Sequence, residues 1–196
     1  AGGVPVPLRE GPDPVLAGTL GIAGLAGWLP VAYRSPVREG ETVLVLGATG
    51  TVGVVALQAA RILGAGRVVA AGRSSEGLER ARQLGADEVV SLGEDDLAGA
   101  FADACGGDGP TLIVDPLWGA PAVAAARAAA PGARILQVGQ SAGPEAALLS
   151  ADVRGKQLEI LGHTNSATPR DDLRREYLRL VEHARAGELE VEIETF

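Results

Sequence analysis

Apolar residues along this chain alternate between two rhythms. Thr42-Val43-Leu44-Val45-Leu46 is an unbroken apolar run of strand length and β-branched character, and a strand apolar on both faces is predicted to lie at the centre of a parallel sheet. After a glycine-rich segment, Val52, Val55, Ala56, Ala59 and Leu63 fall on one face of a helix that ends at Gly64. The pair then repeats. Residues 67–71 read as a strand, 75–84 as a helix closed by Gly85, and 87–91 as a strand. A shorter helix over 95–104, a strand over 111–115, an alanine-rich helix over 121–130, a strand over 134–138 and a sixth strand over 158–162 follow. Strands separated by helices in this way predict a doubly wound, six-stranded parallel α/β sheet, a Rossmann fold.

The flanks are less regular. Leu16, Leu20, Ala23, Gly27 and Val31 recur at helical spacing, although Gly18, Gly21, Gly24 and Gly27 weaken the helix and Pro30 is expected to kink or end it. Residues 1–14 read as a leading connector and 15–196 as one domain. Near the other end, Thr168 is the expected N-cap and Pro169 the first residue of a helix whose apolar stripe is Leu173, Tyr177, Leu180, Val181 and Ala184, closed by Gly187. From 189 to 196, Leu189, Val191 and Ile193 alternate with Glu190, Glu192 and Glu194, the pattern of a half-exposed strand wanting a partner.

Composition narrows the chemistry. The 196 residues are 46% hydrophobic, enough for a full core without metals or disulfides. A lone Cys105 excludes an intramolecular disulfide and a multi-cysteine zinc site, which sets the expectation of a reducing, cytoplasmic location. No apolar run is long enough for a membrane span, and residues 1–14 lack the layout of a signal peptide. The formal net charge of -8 opposes non-specific binding to nucleic acid or to an anionic membrane. A phosphate must therefore be held by local geometry.

The segment Gly47-Ala48-Thr49-Gly50-Thr51-Val52-Gly53, between a first strand and its helix, provides that geometry. Glycines there let backbone approach a pyrophosphate, and the unpaired amides at the helix start supply positive potential. Gly50 and Gly53 fit the approach and helix-packing roles, with Thr51 and Val52 donating amides. The second strand ends in Gly72-Arg73-Ser74-Ser75, with no acid before Glu76. An NAD site commonly places a carboxylate here for the ribose hydroxyls. A guanidinium and hydroxyls suit a 2′-phosphate instead, so the expected cofactor is NADP(H).

These residues resemble the medium-chain dehydrogenase/reductase family, in its zinc-independent, quinone oxidoreductase-like branch. The likeness rests on residues 21–28 (GIAGLAGW), 37–45 (VREGETVLV), the glycine loop, 80–89 (RARQLGADEV) and 114–119 (VDPLWG). The resemblance implies a larger parent in which an all-β catalytic domain supplies most of the substrate pocket, with this chain as the cofactor domain of an enzyme passing hydride between NADPH and a small carbonyl, enone or quinone. On that basis the isolated chain is expected to bind cofactor and to turn over no substrate at a useful rate. The nicotinamide end is implied at Asp115, Pro116 and Leu117, then at Val138, Gly139 and Gln140, then at Leu161 and Gly162. Zinc-dependent relatives place a cysteine near Ile22, and no Cys, His, Asp or Glu lies between Thr19 and Arg34. The family also implies a homodimer paired through the sixth strand.

Four residues invite stronger readings. His163 is taken as a solvated or capping histidine rather than a proton donor, Cys105 as a loop or buried thiol rather than a nucleophile, and Tyr177 as packing. Asp115 is left open between a ribose contact and a capped strand end. Two other classes compete: a non-catalytic nucleotide-binding module, and an atypical short-chain reductase. Against the latter, more than forty residues precede the loop, and Tyr33 and Tyr177 have Val37 and Val181, not lysine, four positions on.

Overall fold

In the computed structural model, residues 14–191 are described. Of the expected connector, 1–13 lie outside the described residues, and Pro14 opens the first helix. Six strands, β1 (Thr42–Leu46), β2 (Arg67–Gly72), β3 (Glu88–Ser91), β4 (Leu112–Asp115), β5 (Arg134–Gln137) and β6 (Glu159–Gly162), form one parallel sheet in the order β3-β2-β1-β4-β5-β6. The doubly wound topology read from the sequence is thus the observed one, with β1 at its centre.

Alternation along the strands feeds two cores. Val43, Val45, Val68, Ala70, Leu112 and Val114 face one way and pack with Trp28, Leu29, Val55, Ala56 and Leu180. Leu44, Leu46, Val69, Ala71 and Ile113 face the other way and meet Phe101, Ala125 and Ala126. The first layer is built from α2 (Leu25–Leu29), α3 (Thr51–Ile62), α4 (Ser75–Gln83) and α8 (Arg170–Arg185); the second from α5 (Leu97–Ala104) and α6 (Gly119–Ala128). Gly27 allows α2 to seat on α3, since a Cβ there would lie 2.4 Å from the Val52 carbonyl oxygen. Gly24 and Gly27 are thus contact surface, whereas a Cβ on Gly18 or Gly21 would meet nothing within 4 Å.

Several expectations change. Pro30 does not end the leading helix: α1 (Pro14–Thr19), a π segment (Leu20–Gly24), α2 and a second π segment (Pro30–Arg34) run on. Pro30 has no N–H to give, and the widened register, with the Ser35 N–H donating to the Pro30 carbonyl at 3.0 Å, absorbs the missing bond. Helix α6 starts at Gly119 rather than 121, with Pro121 inside the first turn where its missing N–H costs nothing. A short α7 (Ser150–Gly155), not foreseen, leads into β6.

Thr168 does not cap α8. Pro169 holds the N-cap position, its carbonyl accepting from Leu173 N–H at 2.9 Å. Asp171 and Asp172 in the first turn complement the helix dipole. The expected strand over 189–196 is absent at Leu189, Glu190 and Val191, and 192–196 lie outside the described residues. The Gln58 side-chain amide takes the place of a neighbouring strand: its Nε2 donates to the Glu190 carbonyl at 2.8 Å and its Oε1 accepts the Glu190 N–H at 2.8 Å.

Candidate functional site

The strand order reverses between β1 and β4, and the crevice at that switch point is where open α/β sheets take their ligands. Gly47, at φ 64°, turns the chain out of β1. The Ala48 N–H donates to the Ala71 carbonyl at 2.9 Å, which ties the loop to β2. Helix α3 then presses directly on the loop: a Cβ on Gly53 would lie 2.3 Å from the Gly47 carbonyl oxygen and 2.6 Å from Ala48 Cα. The expected helix-packing role of Gly53 is therefore visible as a backbone contact that only hydrogen fits.

Gly50 is the N-cap of α3, in extended conformation (φ -97°, ψ 163°), and no side chain caps the helix. Helix geometry leaves the Thr51 and Val52 amides without intrahelical acceptors. A Cβ on Gly50 would meet nothing closer than 3.7 Å, so the space before these amides is open. A loop that withholds its cap and clears the approach fits a diphosphate.

At the end of β2, a Cβ on Gly72 would lie 2.5 Å from Thr49 Cγ2, and one on Gly77 2.8 Å from Thr49 Cβ. Thr49 thus packs the first loop against the second crossover, a contact the sequence did not announce. Ser74 Oγ accepts the Gly77 N–H at 3.1 Å and caps α4, leaving its hydroxyl hydrogen to donate. Arg73 is exposed and has no hydrogen-bond or ion-pair partner among the described residues. A cleft of about 640 Å³ runs beside these loops, lined by Thr49, Thr51, Ser74, Gly77 and by Glu76, Glu79, Arg80 and Glu190. Arg80 pairs with Glu190 at 2.7 Å across it.

The turn after β4 and the loop after β5 are laced together. The Val138 and Gly139 amides donate to the Asp115 carbonyl at 2.8 and 3.3 Å, Ser141 donates to the Pro116 carbonyl, and the Ala142 N–H donates to the Leu117 carbonyl at 2.8 Å. A Cβ on Gly47 would touch Leu117 Cδ2 at 2.9 Å, so this turn lies across the glycine loop at the switch point. Asp115, Pro116, Leu117, Val138 and Gly139 are brought together, and exposed Gln140 adjoins them.

Asp115 is fully buried, and its Oδ1 accepts the N–H groups of Leu117 at 2.9 Å and Trp118 at 2.8 Å, while Oδ2 has no partner among the described residues. Oδ1 thus closes the strand end. Burial pushes its carboxyl pKa above the usual range, against the two amides that favour the charged form.

Leu161 and Gly162 close β6 one strand further out, and Arg34 Nε donates to the Gly162 carbonyl at 3.1 Å. His163, half-buried beside them, meets Asn165 Oδ1 through Nε2 at 3.3 Å. Burial lowers its pKa, and Asn165 opposes that shift. Cys105 is buried, which raises its thiol to about 12, far from a nucleophile's range. Tyr177 packs against the first core and donates to the Ala17 carbonyl at 2.7 Å.

Among known proteins, a family model described as zinc-binding dehydrogenase matches residues 51–183. Quinone oxidoreductase-like protein 2 of Bos taurus is 31% identical over 146 residues, covering 70% of this chain and 42% of its own length. The Bacillus subtilis protein YfmJ, named a putative NADP-dependent oxidoreductase, is 36% identical over 110 residues, covering 55% of this chain and 32% of its own. A polyketide synthase subunit of Mycobacterium tuberculosis is 29% identical over 124 residues, 63% of this chain but 6% of that subunit. In structure, AibC superposes with a TM-score of 0.81 at 30% identity, over 97% of this chain and 54% of its own. Mycobacterial Rv1454c, solved with NADPH, shares the fold at a TM-score of 0.86 and 20% identity, over 95% of this chain and 59% of its own. The chain therefore spans less than two thirds of the length of these relatives.

Proposed function

The chain belongs to the zinc-binding dehydrogenase family, in the quinone oxidoreductase-like branch of the medium-chain dehydrogenase/reductases, and from that membership we propose that it is the NADP(H)-binding domain of an oxidoreductase acting on a small carbonyl, enone or quinone. The observation that carries the reading is the uncapped start of α3, with Gly53 against the Gly47 carbonyl. The Thr51 and Val52 amides hold the diphosphate there, Arg73 and Ser74 take the 2′-phosphate, and the ends of β4, β5 and β6 wall the nicotinamide. Bound in this crevice, the dinucleotide supplies the hydride. No side chain of this domain is assigned a catalytic role; the domain binds, orients and excludes water, and a second domain brings the substrate.

The metal in the family's name does not fit the donors present. Among the described residues no group of three or more His, Cys, Asp or Glu could hold a metal ion, and Ile22, where zinc-dependent relatives are expected to place a cysteine, is exposed and apolar. Pairing of two copies along β6 belongs to the same proposal: β6 is a sheet edge, and Ile160 on it is exposed. Light scattering that finds only monomer at tens of micromolar, roughly the range of a weak interface, would remove that part.

Calorimetric titration with NADPH and NADH tests the cofactor. Hydrogen bonds to a charged phosphate, shared with solvent, favour NADPH by roughly tenfold to fiftyfold. Arg73→Ala is expected to erase most of that margin with little change for NADH. Equal or tighter binding of NADH to the unmodified chain would overturn the assignment. The contact of Gly72 with Thr49 makes Gly72→Asp a poor inverse test, because any side chain there must first displace Thr49.

A further inference from the structure

Reducing a carbonyl takes a proton as well as a hydride, so the site needs a side chain that can hold a proton near neutral pH. At the ends of β4, β5 and β6 the described candidates are Asp115 and His163. Asp115 is fully buried, and its free Oδ2 is shut off from solvent. His163 is half-buried and follows β6 directly, its N–H donating to the Gln137 carbonyl at 2.9 Å. Leu161 packs on the first core, and alternation turns His163 to the same side, toward the layer that holds Ile22 and Arg34.

Two contacts fix what each imidazole nitrogen does. The Ile22 carbonyl can only accept, so the Asn165 amide that meets it at 3.0 Å presents Nδ2 there and turns Oδ1 the other way. Oδ1 in turn can only accept, and it meets His163 Nε2 at 3.3 Å. Nε2 therefore carries the hydrogen, and in the neutral ring Nδ1 is left bare. Nδ1 has no partner among the described residues and is not shut off from solvent. A proton can arrive at or leave Nδ1 without disturbing the bond to Asn165, which serves the charged ring as well as the neutral one. Burial holds the imidazole pKa below its usual value; the Arg34 guanidinium acts in the same direction and Asn165 against it. Arg34 is the charged group that faces the ring. Its Nε donates to the Gly162 carbonyl, and Tyr33 beside it donates to Asp172, which pairs with Arg175 on α8.

We propose that His163 holds the proton that reduction consumes. With NADPH as the reductant, a hydride passes to the carbonyl carbon of the substrate, the π pair moves to the oxygen, and that oxygen takes the proton from His163 Nδ1. NADPH leaves oxidised, the carbonyl leaves as an alcohol, and the neutral ring regains its proton from water. The inference rests on the dinucleotide reading above and adds to it the proton donor, which that reading leaves unassigned. It also links the proton to the cofactor. A positive nicotinamide ring beside His163 disfavours the imidazolium, whereas the uncharged ring of NADPH tolerates it, so exchange of NADP⁺ for NADPH draws a proton onto Nδ1.

The test is calorimetric titration of NADPH and NADP⁺ into the full chain at about pH 7.5 and about pH 5.5, on either side of the ordinary imidazole range. The ratio of the two affinities is expected to shift about fivefold toward NADPH on acidification, the effect of two like charges a few ångströms apart in a wet crevice. Ionisation of the 2′-phosphate is common to both ligands and cancels in the ratio. In His163→Gln, whose amide still donates to Asn165 but takes no charge, the ratio should not change with pH, and NADPH affinity at neutral pH should be kept. Nitrogen NMR of the neutral imidazole should find the hydrogen on Nε2 in the wild type and a mixture of tautomers in Asn165→Ala. A pH-independent ratio in the wild type, or an equal shift in His163→Gln, overturns the proton role alone. So does a neutral wild-type ring with its hydrogen on Nδ1. A chain that binds neither cofactor overturns the dinucleotide reading and the proton role with it.

Discussion

The starts of α3 and α4 pose the same problem and solve it in opposite ways. Each helix follows a central strand through a short turn, and each N-cap residue, Gly50 or Ser74, is extended. Ser74 turns its own Oγ onto the Gly77 amide, so α4 closes its own end. Gly50 has nothing to offer, and α3 is left with amides that need an acceptor from outside. The crowding differs too. Gly53 meets rigid backbone at 2.3 Å, whereas Gly72 and Gly77 meet the side chain of Thr49. An open set of amides is built by withholding a cap while fixing the loop; the neighbouring end closes itself and leaves Arg73 exposed beside it.

Gly53→Ala should break this comparison most severely. The added Cβ meets the Gly47 carbonyl and Ala48 Cα, neither of which can move without shifting β1 or α3. Overpacking of this kind costs about 3 kcal/mol, read as a lower denaturant midpoint, and NADPH binding should disappear with it. A variant with wild-type midpoint and affinity would show that the loop yields more easily than its contacts imply.

Gly50→Asp should separate stability from binding. The position is open, so the carboxylate can cap α3 and meet its dipole, stabilising the fold by about 0.3–1 kcal/mol. The same carboxylate occupies the amides and repels the diphosphate. Each lost bond to a charged group is worth about 1.5–3 kcal/mol, so NADPH should bind roughly tenfold to hundredfold more weakly. Unchanged affinity by calorimetry would place the diphosphate elsewhere.

The α3 side of this contrast was legible beforehand because it resides in local chemistry, whereas the Ser74 cap of α4 was not read from the sequence. Glycines at 50 and 53, between an apolar run and a helical stripe, announce an open loop, and β1 to β6 follow from the alternation of the two rhythms. What escaped depends on contacts distant in sequence. Thr49 sits between two crossovers, and only the fold shows that Gly72 and Gly77 exist to receive it. Gln58 mimics a strand for Glu190, 132 positions away, so the alternating tail looked like a strand in search of a sheet. Trp118, at φ 56° in the N-cap position of α6, gave no signal, because no spacing rule marks a tryptophan in a glycine conformation.

Ser74→Ala should sharpen the comparison from the other side. Loss of the cap should destabilise by about 0.5–2 kcal/mol in urea unfolding. NADPH affinity should fall by no more than about tenfold, since at most one hydroxyl bond to phosphate is removed. Stability within about 0.3 kcal/mol of wild type would mean that solvent caps α4 as well as the hydroxyl does.

Asp115→Asn gives the smallest effect and reads the crevice through its titration. Both side chains retain the Oδ1 that accepts the Leu117 and Trp118 amides; only the aspartate carries a second, buried oxygen that ionises without a partner. Its folded pKa lies above the unfolded value, chiefly through desolvation. Between those two values the folded state holds more protons than the unfolded one, so stability must fall as pH rises. Below the unfolded value of about 3.9 both states are protonated, and the contribution is present in full. The stability of wild type minus that of Asp115→Asn should therefore grow as pH is lowered from neutrality through the acid range, in a difference where titrations common to both proteins, that of His163 included, cancel. Urea unfolding of the pair at a series of pH values measures it. A flat difference would mean that Asp115 ionises as freely in the fold as out of it, and that the switch-point turn is wetter than its burial indicates.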